Sequence, residues 1–258
     1  MRSWSLTKQS GGADERETAG CAPIQEQFYS ITGDYQKGFP GGYGILKKKK
    51  GAGTIRLVTR IPAVDEQKQQ DLIASNWVKL EEPGNMMTAI LSSIPFMVLN
   101  FTITLLIAGM FVPVSLEYFG IAGTSFSFQI DLLPLLFGVV GILVAHELVH
   151  LLCIPDFIRS DTTCMGITYG GGFVYTEEKL TRTRYLLISF APFIAISLIL
   201  PFILGMLHLL SPLIIGLLLL NSLGSSVDIL IAVLVLMQVP SRAYLVANGR
   251  DTYWKIDG

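Results

Sequence analysis

Residues 132–153 read LLPLLFGVVGILVAHELVHLLC, the apolar run from which the architecture of the chain can be predicted. As a helix, it is long enough to cross the roughly 30 Å hydrocarbon core of a bilayer. Three costly polar side chains interrupt the apolar run: His146, Glu147 and His150. Residues four apart share one face of a helix, so the two histidines can hold one metal ion with the glutamate beside it. Ionisable groups inside a span normally mark a function.

The composition of the whole chain agrees with a membrane protein. Hydrophobic residues occupy 51% of the 258 positions and charged residues 15%, and the mean hydropathy is +0.53. These values exclude an ordinary soluble domain. Four apolar stretches are long enough to span a bilayer, at residues 86–112, 132–153, 185–207 and 213–237. We therefore predict an all-α membrane protein built on a bundle of four transmembrane helices.

The distribution of positive charge predicts the orientation of this bundle. All 19 Lys and Arg residues fall before the first span, between the second and third, or after the fourth. The positive-inside rule then places both termini and the central loop in the cytoplasm. The net charge of -1 gives no indication of a nucleic-acid partner, and no feature indicates an oligomeric state. The lysine run that begins at Lys47 is either a contact for anionic lipid head groups or a solvated tract.

The segments outside the spans predict three smaller parts. Residues 1–45 are rich in Gly, Ser, Gln and charge, which is typical of a disordered extension. Residues 46–84 form a small cytoplasmic α/β cap, with a strand at 54–61 and a helix at 65–79, before a membrane domain at 85–258. Between the second and third spans, residues 166–169 and 173–176 flank glycines and predict a β-hairpin. This hairpin either presents an edge strand to an extended peptide or only closes the bundle.

The three cysteines add little to the prediction. Cys21, Cys153 and Cys164 fall on the predicted cytoplasmic side, where thiols stay reduced, so we expect no disulfide framework. Cys153 shares a helical stripe with the histidines. It lies about 10 Å along the axis from His146, which is too far to share one tetrahedral ion unless the helix unwinds.

A hydrolytic zinc site needs a third protein ligand and an open position for water. Apart from Glu147, Asp228 is the ionisable residue placed deep in a predicted span. It should lie at the depth of His146, within about 10 Å of the cytoplasmic surface. Asn221 and Ser225 share its helix face. Asn221 could hold an oxyanion or a substrate carbonyl and Ser225 could orient Asp228, or both could only pack helices together.

These motifs resemble one family. HELVH at 146–150, NSLGSSVD at 221–228, WVKLEEP at 77–83 and APF at 191–193 are similar to the putative zincin peptidases, small prokaryotic membrane proteins. The resemblance runs from about Trp77 to the C-terminus and implies a bound Zn²⁺. The site-2 proteases are similar in plan, but they follow the distant Asp with Gly and have an Asn-Pro element before it. Here Ile229 follows Asp228, and no proline lies near Asn221.

From the residues and the resemblance together, we predict a zinc-dependent intramembrane or juxtamembrane endopeptidase in a prokaryotic cell membrane. His146, His150 and Asp228 are the expected zinc ligands, and Glu147 is the expected general base. The expected substrate is a membrane-anchored protein or peptide. Two alternatives stay open: a transporter that uses these groups as a proton or metal pathway, and a non-catalytic scaffold in which zinc clamps two helices.

Overall fold

The computed structural model describes residues 56–113, 115, 117–118, 121–122, 125–126, 131–168 and 171–256. Most of these residues are helical. The helices are α1 (Glu66–Ala74), α2 (Met86–Gly109), α3 (Leu132–Cys153), α4 (Arg182–Pro192), α5 (Leu200–Met206) and α6 (Pro212–Gln238), with a π-helical segment at Phe193–Ile199. Four stretches are long and apolar enough to cross a membrane: α2, α3, Arg182–Met206 and α6. The four predicted spans are thereby confirmed to within a few residues.

The strands form three sheets. They are β1 (Arg56–Val58), β2 (Val78–Lys79), β3 (Ile121–Ala122), β4 (Ser125–Phe126), β5 (Cys164–Thr168), β6 (Gly171–Tyr175), β7 (Leu180–Thr181), β8 (Ala243–Asn248) and β9 (Asp251–Ile256). The sheet orders are β1-β5-β6, β2-β9-β8-β7 and β3-β4. The all-α class is therefore incomplete, because sheets accompany the helices. We call the end of the bundle at which α3 and α6 end and α2 and α4 begin the sheet end.

The first of these sheets contains the expected hairpin and one strand from the segment before the spans. The hairpin is confirmed as β5 and β6, paired antiparallel from Cys164 with Tyr175 to Thr168 with Gly171. β1 adds to β5 in parallel, so the segment before the spans completes a sheet whose other strands lie after α3. The expected extension at 1–45 and the lysine run at 47–50 lie outside the described residues.

Two local expectations were wrong. The helix expected at 65–79 ends at Ala74, because Asn76 takes a positive φ of 61° and the chain continues into β2. Cys164 is disulfide-bonded, whereas Cys153 is a free thiol.

Helix α6 is the centre of the bundle. α2 packs along it through small and polar side chains, with Asn100 Nδ2 donating to the Ser222 carbonyl at 3.3 Å and Ser226 Oγ donating to Ser93 Oγ at 3.2 Å. Such contacts are typical of helix pairs in membranes, where apolar burial gives little driving force. α3 packs on α4 and on another face of α6. The two helices that carry the expected ligands are therefore neighbours.

Two arginines fix helix ends at the sheet end. Arg182 donates from Nη2 to the Leu236 carbonyl near the end of α6, at 2.9 Å. Arg184 donates from Nη1 to the Cys153 carbonyl at the end of α3, at 3.4 Å. The last carbonyls of a helix lack intrahelical partners and carry partial negative charge, so a guanidinium satisfies them. α4 thereby holds α3 and α6 at a common depth.

Candidate metal centre

Three side chains converge between α3 and α6. His146 Nε2 lies 3.2 Å from Asp228 Oδ2, and His150 Nε2 lies 3.6 Å from Asp228 Oδ1. One ligand atom from each residue lies within 4.8 Å of the other two. One turn of α3 sets the spacing of the histidines, and the packing of α3 on α6 brings the carboxylate opposite them. The structure thus brings together all three residues that the sequence indicated as ligands.

The hydrogen bonds at Nδ1 of the two histidine rings leave both Nε2 atoms facing Asp228, where a metal ion would lie between them. His146 Nδ1 lies 3.0 Å from Asn221 Oδ1, and His150 Nδ1 lies 2.9 Å from the Ile188 carbonyl oxygen. Both partners are acceptors, so each Nδ1 carries the proton and each Nε2 presents a lone pair. A protein that binds Zn²⁺ through histidine normally orients the ring in this way. The three residues therefore fit a divalent transition metal.

Asn221 is itself held in one orientation. Its Nδ2 donates to Ser197 Oγ at 2.9 Å, with the Pro192 carbonyl at 3.4 Å and Ser225 Oγ at 3.5 Å. Ser197 belongs to the π-helical segment that follows Pro192. A π-helical turn widens the helix and often marks a functional site. The amide nitrogen therefore faces the third span, and the amide oxygen faces His146.

Glu147 lies under strand β6. It is buried, with 9% of its surface exposed, and it lines the same cavity as the three converging residues. An added Cβ at Gly172 would lie 2.5 Å from both Cγ and Oε1 of Glu147. A side chain at position 172 would thus displace the carboxylate. Sequence reasoning placed Gly172 in a turn and missed this contact.

A cavity of about 440 Å³ contains the cluster. One part lies between the spans, where residues of α3 and α6 form the wall. The other part lies at the sheet end, where Thr176, Leu245 and Thr252 contribute to the lining. The cavity around the cluster therefore extends from the helices to the strands.

A second carboxylate, Glu82, lines this cavity at the sheet end. Its two oxygens accept hydrogen bonds from the backbone N–H and the Oγ1 of Thr252, at 3.0 and 3.2 Å. Burial raises the pKa of Glu82 to about 7, although the hydrogen bonds from Thr252 oppose this shift. Sequence reasoning placed Glu82 in the break before the first span and in the WVKLEEP resemblance, and did not connect it with the site.

The remaining candidates lie elsewhere. Cys153 is at the end of α3 and is not among the three converging residues. His208 follows α5 with a positive φ of 55°, at the end of the bundle opposite the sheet end. Neither residue contributes to the cluster.

The match to known proteins falls on the part of the chain that builds this centre. Residues 139–244 match a family model described as putative zincin peptidase. The matched segment includes the motif on α3, the β5–β6 hairpin and Asp228 on α6. The family resemblance is confirmed over these residues, which begin later than Trp77 and end before β9. No curated protein and no solved structure matches the chain.

Proposed function

We propose that this chain is a zinc-dependent endopeptidase of membrane proteins. The premise is the match of residues 139–244 to the putative zincin peptidases. One observation carries the proposal: both histidine Nε2 atoms point at Asp228, while both Nδ1 atoms are occupied by acceptors. Polar helix packing alone does not require this arrangement. Zinc sites with three protein ligands and one open position are the hydrolytic type.

Each residue has a distinct part in the proposed reaction. Bound zinc supplies a Lewis acid and lowers the pKa of water. Glu147 follows His146 and lines the same cavity, so it would accept a proton from the attacking water and return it to the leaving amine. Asn221 positions a ligand. Its amide oxygen keeps His146 in the required tautomer, and its amide nitrogen is held by Ser197. Ser225 packs beside Asn221 and extends the same polar contact.

The position of the strands supports a peptide substrate. Among the described strands, β6 pairs with β5 alone, so its other edge has backbone groups available for an extended chain. β6 also covers Glu147 through Gly172. An extended peptide is the form in which a scissile bond is accessible, because a helical peptide bond is shielded and already hydrogen-bonded. We place the sheet end in the cytoplasm of a prokaryotic cell, following the positive-inside rule. The disulfide-bonded Cys164 at this end is the observation that opposes the placement, because cytoplasmic thiols stay reduced.

The test combines metal content with cleavage. Purified protein in detergent is analysed for zinc by mass spectrometry and assayed with dye-labelled casein, comparing wild type, Glu147→Gln and the exposed Glu81→Gln as control. We expect one zinc in each protein, and cleavage in wild type and Glu81→Gln only. If Glu147→Gln binds zinc and cleaves casein as fast as wild type, Glu147 is not the general base. Zinc without cleavage in any of the three proteins would favour the scaffold.

A further inference from the structure

One face of α6 is left open beside the metal centre. Leu220, Gly224, Val227 and Ile231 recur at intervals of four, three and four residues, which places them on one helical stripe. All four line the cavity that contains the cluster. Leu220 is 39% exposed, and an added Cβ at Gly224 would meet nothing within 4 Å. This stripe is therefore an unfilled surface within a span.

The walls of this surface come from two different helices. Ile142 and Leu143 of α3 lie on one side, and Met86 at the start of α2 lies on the other. α2 contacts α6 through Ser222 and Ser226, which are on a different face from the stripe. We call the space bounded by Leu220, Gly224, Val227, Ile231 and these walls the lateral groove. It opens between α2 and α3, where these spans would face lipid.

The lateral groove leads directly to the proposed catalytic residues. Val227 precedes Asp228, and both line the cavity with His146 and Glu147. The groove lining is apolar, so a ligand that fills it must be soluble in the bilayer. Gly224 lets a second backbone approach α6 closely, which is how membrane helices recognise one another. An acyl chain needs no such glycine.

We infer that the lateral groove admits the transmembrane segment of the substrate, which enters sideways between α2 and α3 and unwinds where it reaches the metal centre. This inference rests on the proposed function, and it adds the part of the substrate that is recognised and the route by which that part enters. Gly224 determines whether a helix fits. The space at the sheet end offers a separate approach for chains that are not anchored in the bilayer.

The test compares two probes in liposomes: dye-labelled casein in solution, and the same casein fused to a 20-residue Leu/Ala helix. The variant is Gly224→Leu, which fills the groove. The matched control is Gly141→Leu on α3, because its added Cβ also meets nothing within 4 Å and it does not line the cavity. We expect Gly224→Leu to lower the ratio of anchored to free cleavage about tenfold, with zinc retained. Gly141→Leu should leave the ratio unchanged.

A binding measurement separates this inference from the proposed function. In the Glu147→Gln background, a benzophenone amino acid replaces Leu220 in the groove or Val144, which is 42% exposed and outside the cavity lining. We expect the anchored probe to cross-link from position 220 and not from 144. Equal cross-linking of the probe from both positions would contradict the inference that the lateral groove admits the substrate helix. Lipid adducts alone at position 220 would contradict it as well. Cross-linking at position 220, without cleavage of either probe by the wild-type protein, would instead contradict the proposed peptidase function.

Discussion

Asn221 Oδ1 on α6 accepts the Nδ1 proton of His146 on α3 across 3.0 Å, so one helix sets the tautomer of a ligand on another. Asn221→Leu removes this acceptor with little change in volume. We expect zinc affinity to fall by about 10–100-fold, the usual effect of losing the hydrogen-bond partner of a ligating histidine. Competition with a chelating dye measures this change.

Asn100 provides a matched control for that measurement. It is also a buried asparagine that bridges two spans, with its Nδ2 on the Ser222 carbonyl. Asn100→Leu should destabilise the α2–α6 contact and leave zinc affinity unchanged, because no part of Asn100 reaches the cluster. Equal losses of affinity in both variants would show that Asn221 acts through packing alone.

Asp228 is expected to be essential for zinc binding. Asp228→Ala leaves two histidines, which is fewer than the three ligands of a stable hydrolytic site. Wild type should melt at a lower temperature after treatment with a chelator, since a ligand that binds only the folded state stabilises it. Asp228→Ala should contain no zinc and should melt at the same temperature with and without the chelator.

Asp131→Ala is the corresponding control. Asp131 precedes α3 and makes no side-chain hydrogen bond to cap the helix. This variant should keep both its zinc and its response to the chelator. A zinc content in Asp228→Ala equal to that of Asp131→Ala would remove Asp228 from the ligand set.

Gly172→Ala tests the contact between β6 and the proposed base. The new Cβ would lie 2.5 Å from Glu147 Oε1, so the carboxylate must move. We expect casein cleavage to fall about 100-fold or more, because a displacement of about 1 Å can cost that much. Zinc content should be retained. Gly84→Ala, whose Cβ enters open space, should behave like wild type.

The double variant Gly172→Ala with Glu147→Gln distinguishes this explanation from a general defect. Two changes that act through the same group are not additive. The double variant should therefore be no less active than Glu147→Gln alone. A further loss would show that Gly172 acts on something other than the glutamate.

The membrane helices and the three ligands were predictable because their signals are local. Long apolar runs are read directly from composition, and ionisable residues inside them are costly enough to be conspicuous. The C-terminal hairpin was missed, although Gly249 with φ of 60° begins its two-residue loop and the strands on either side carry β-branched and aromatic residues. These cues were outweighed by the all-α expectation.

The contacts that refine the site were less accessible to sequence reasoning. The partner of His150 is the backbone carbonyl of Ile188, which carries no side-chain signal. The π-helical segment at Phe193–Ile199 follows Pro192 inside an apolar run, and its residues carry no pattern that distinguishes it from an α-helix. Gly172 and Glu82 lie near the cluster only because sheets from distant parts of the chain meet there. Such contacts depend on tertiary packing.

Glu82 makes the stability of the protein depend on pH. Its pKa is about 7 in the folded protein, against 4.5 for the unperturbed group, because burial disfavours the carboxylate. The folded state therefore holds this proton up to a higher pH than the unfolded chain does. This contribution to stability is fully present below about 4.5 and is lost as pH rises to about 7. The 2.5-unit difference corresponds to about 3 kcal/mol.

Glu82→Gln should remove this dependence while keeping an oxygen to accept the Thr252 N–H. The neighbouring Asp251 raises the pKa of Glu82 and Lys79 lowers it, but both effects are smaller than burial. Thermal midpoints in detergent at pH 5 and pH 8 should show Glu82→Gln more stable than wild type at pH 8 only. The exposed Glu81→Gln should track wild type at both values. The difference between wild type and Glu82→Gln isolates the glutamate from every other titrating group. An identical pH response in both proteins would show that Glu82 stays ionised in the fold.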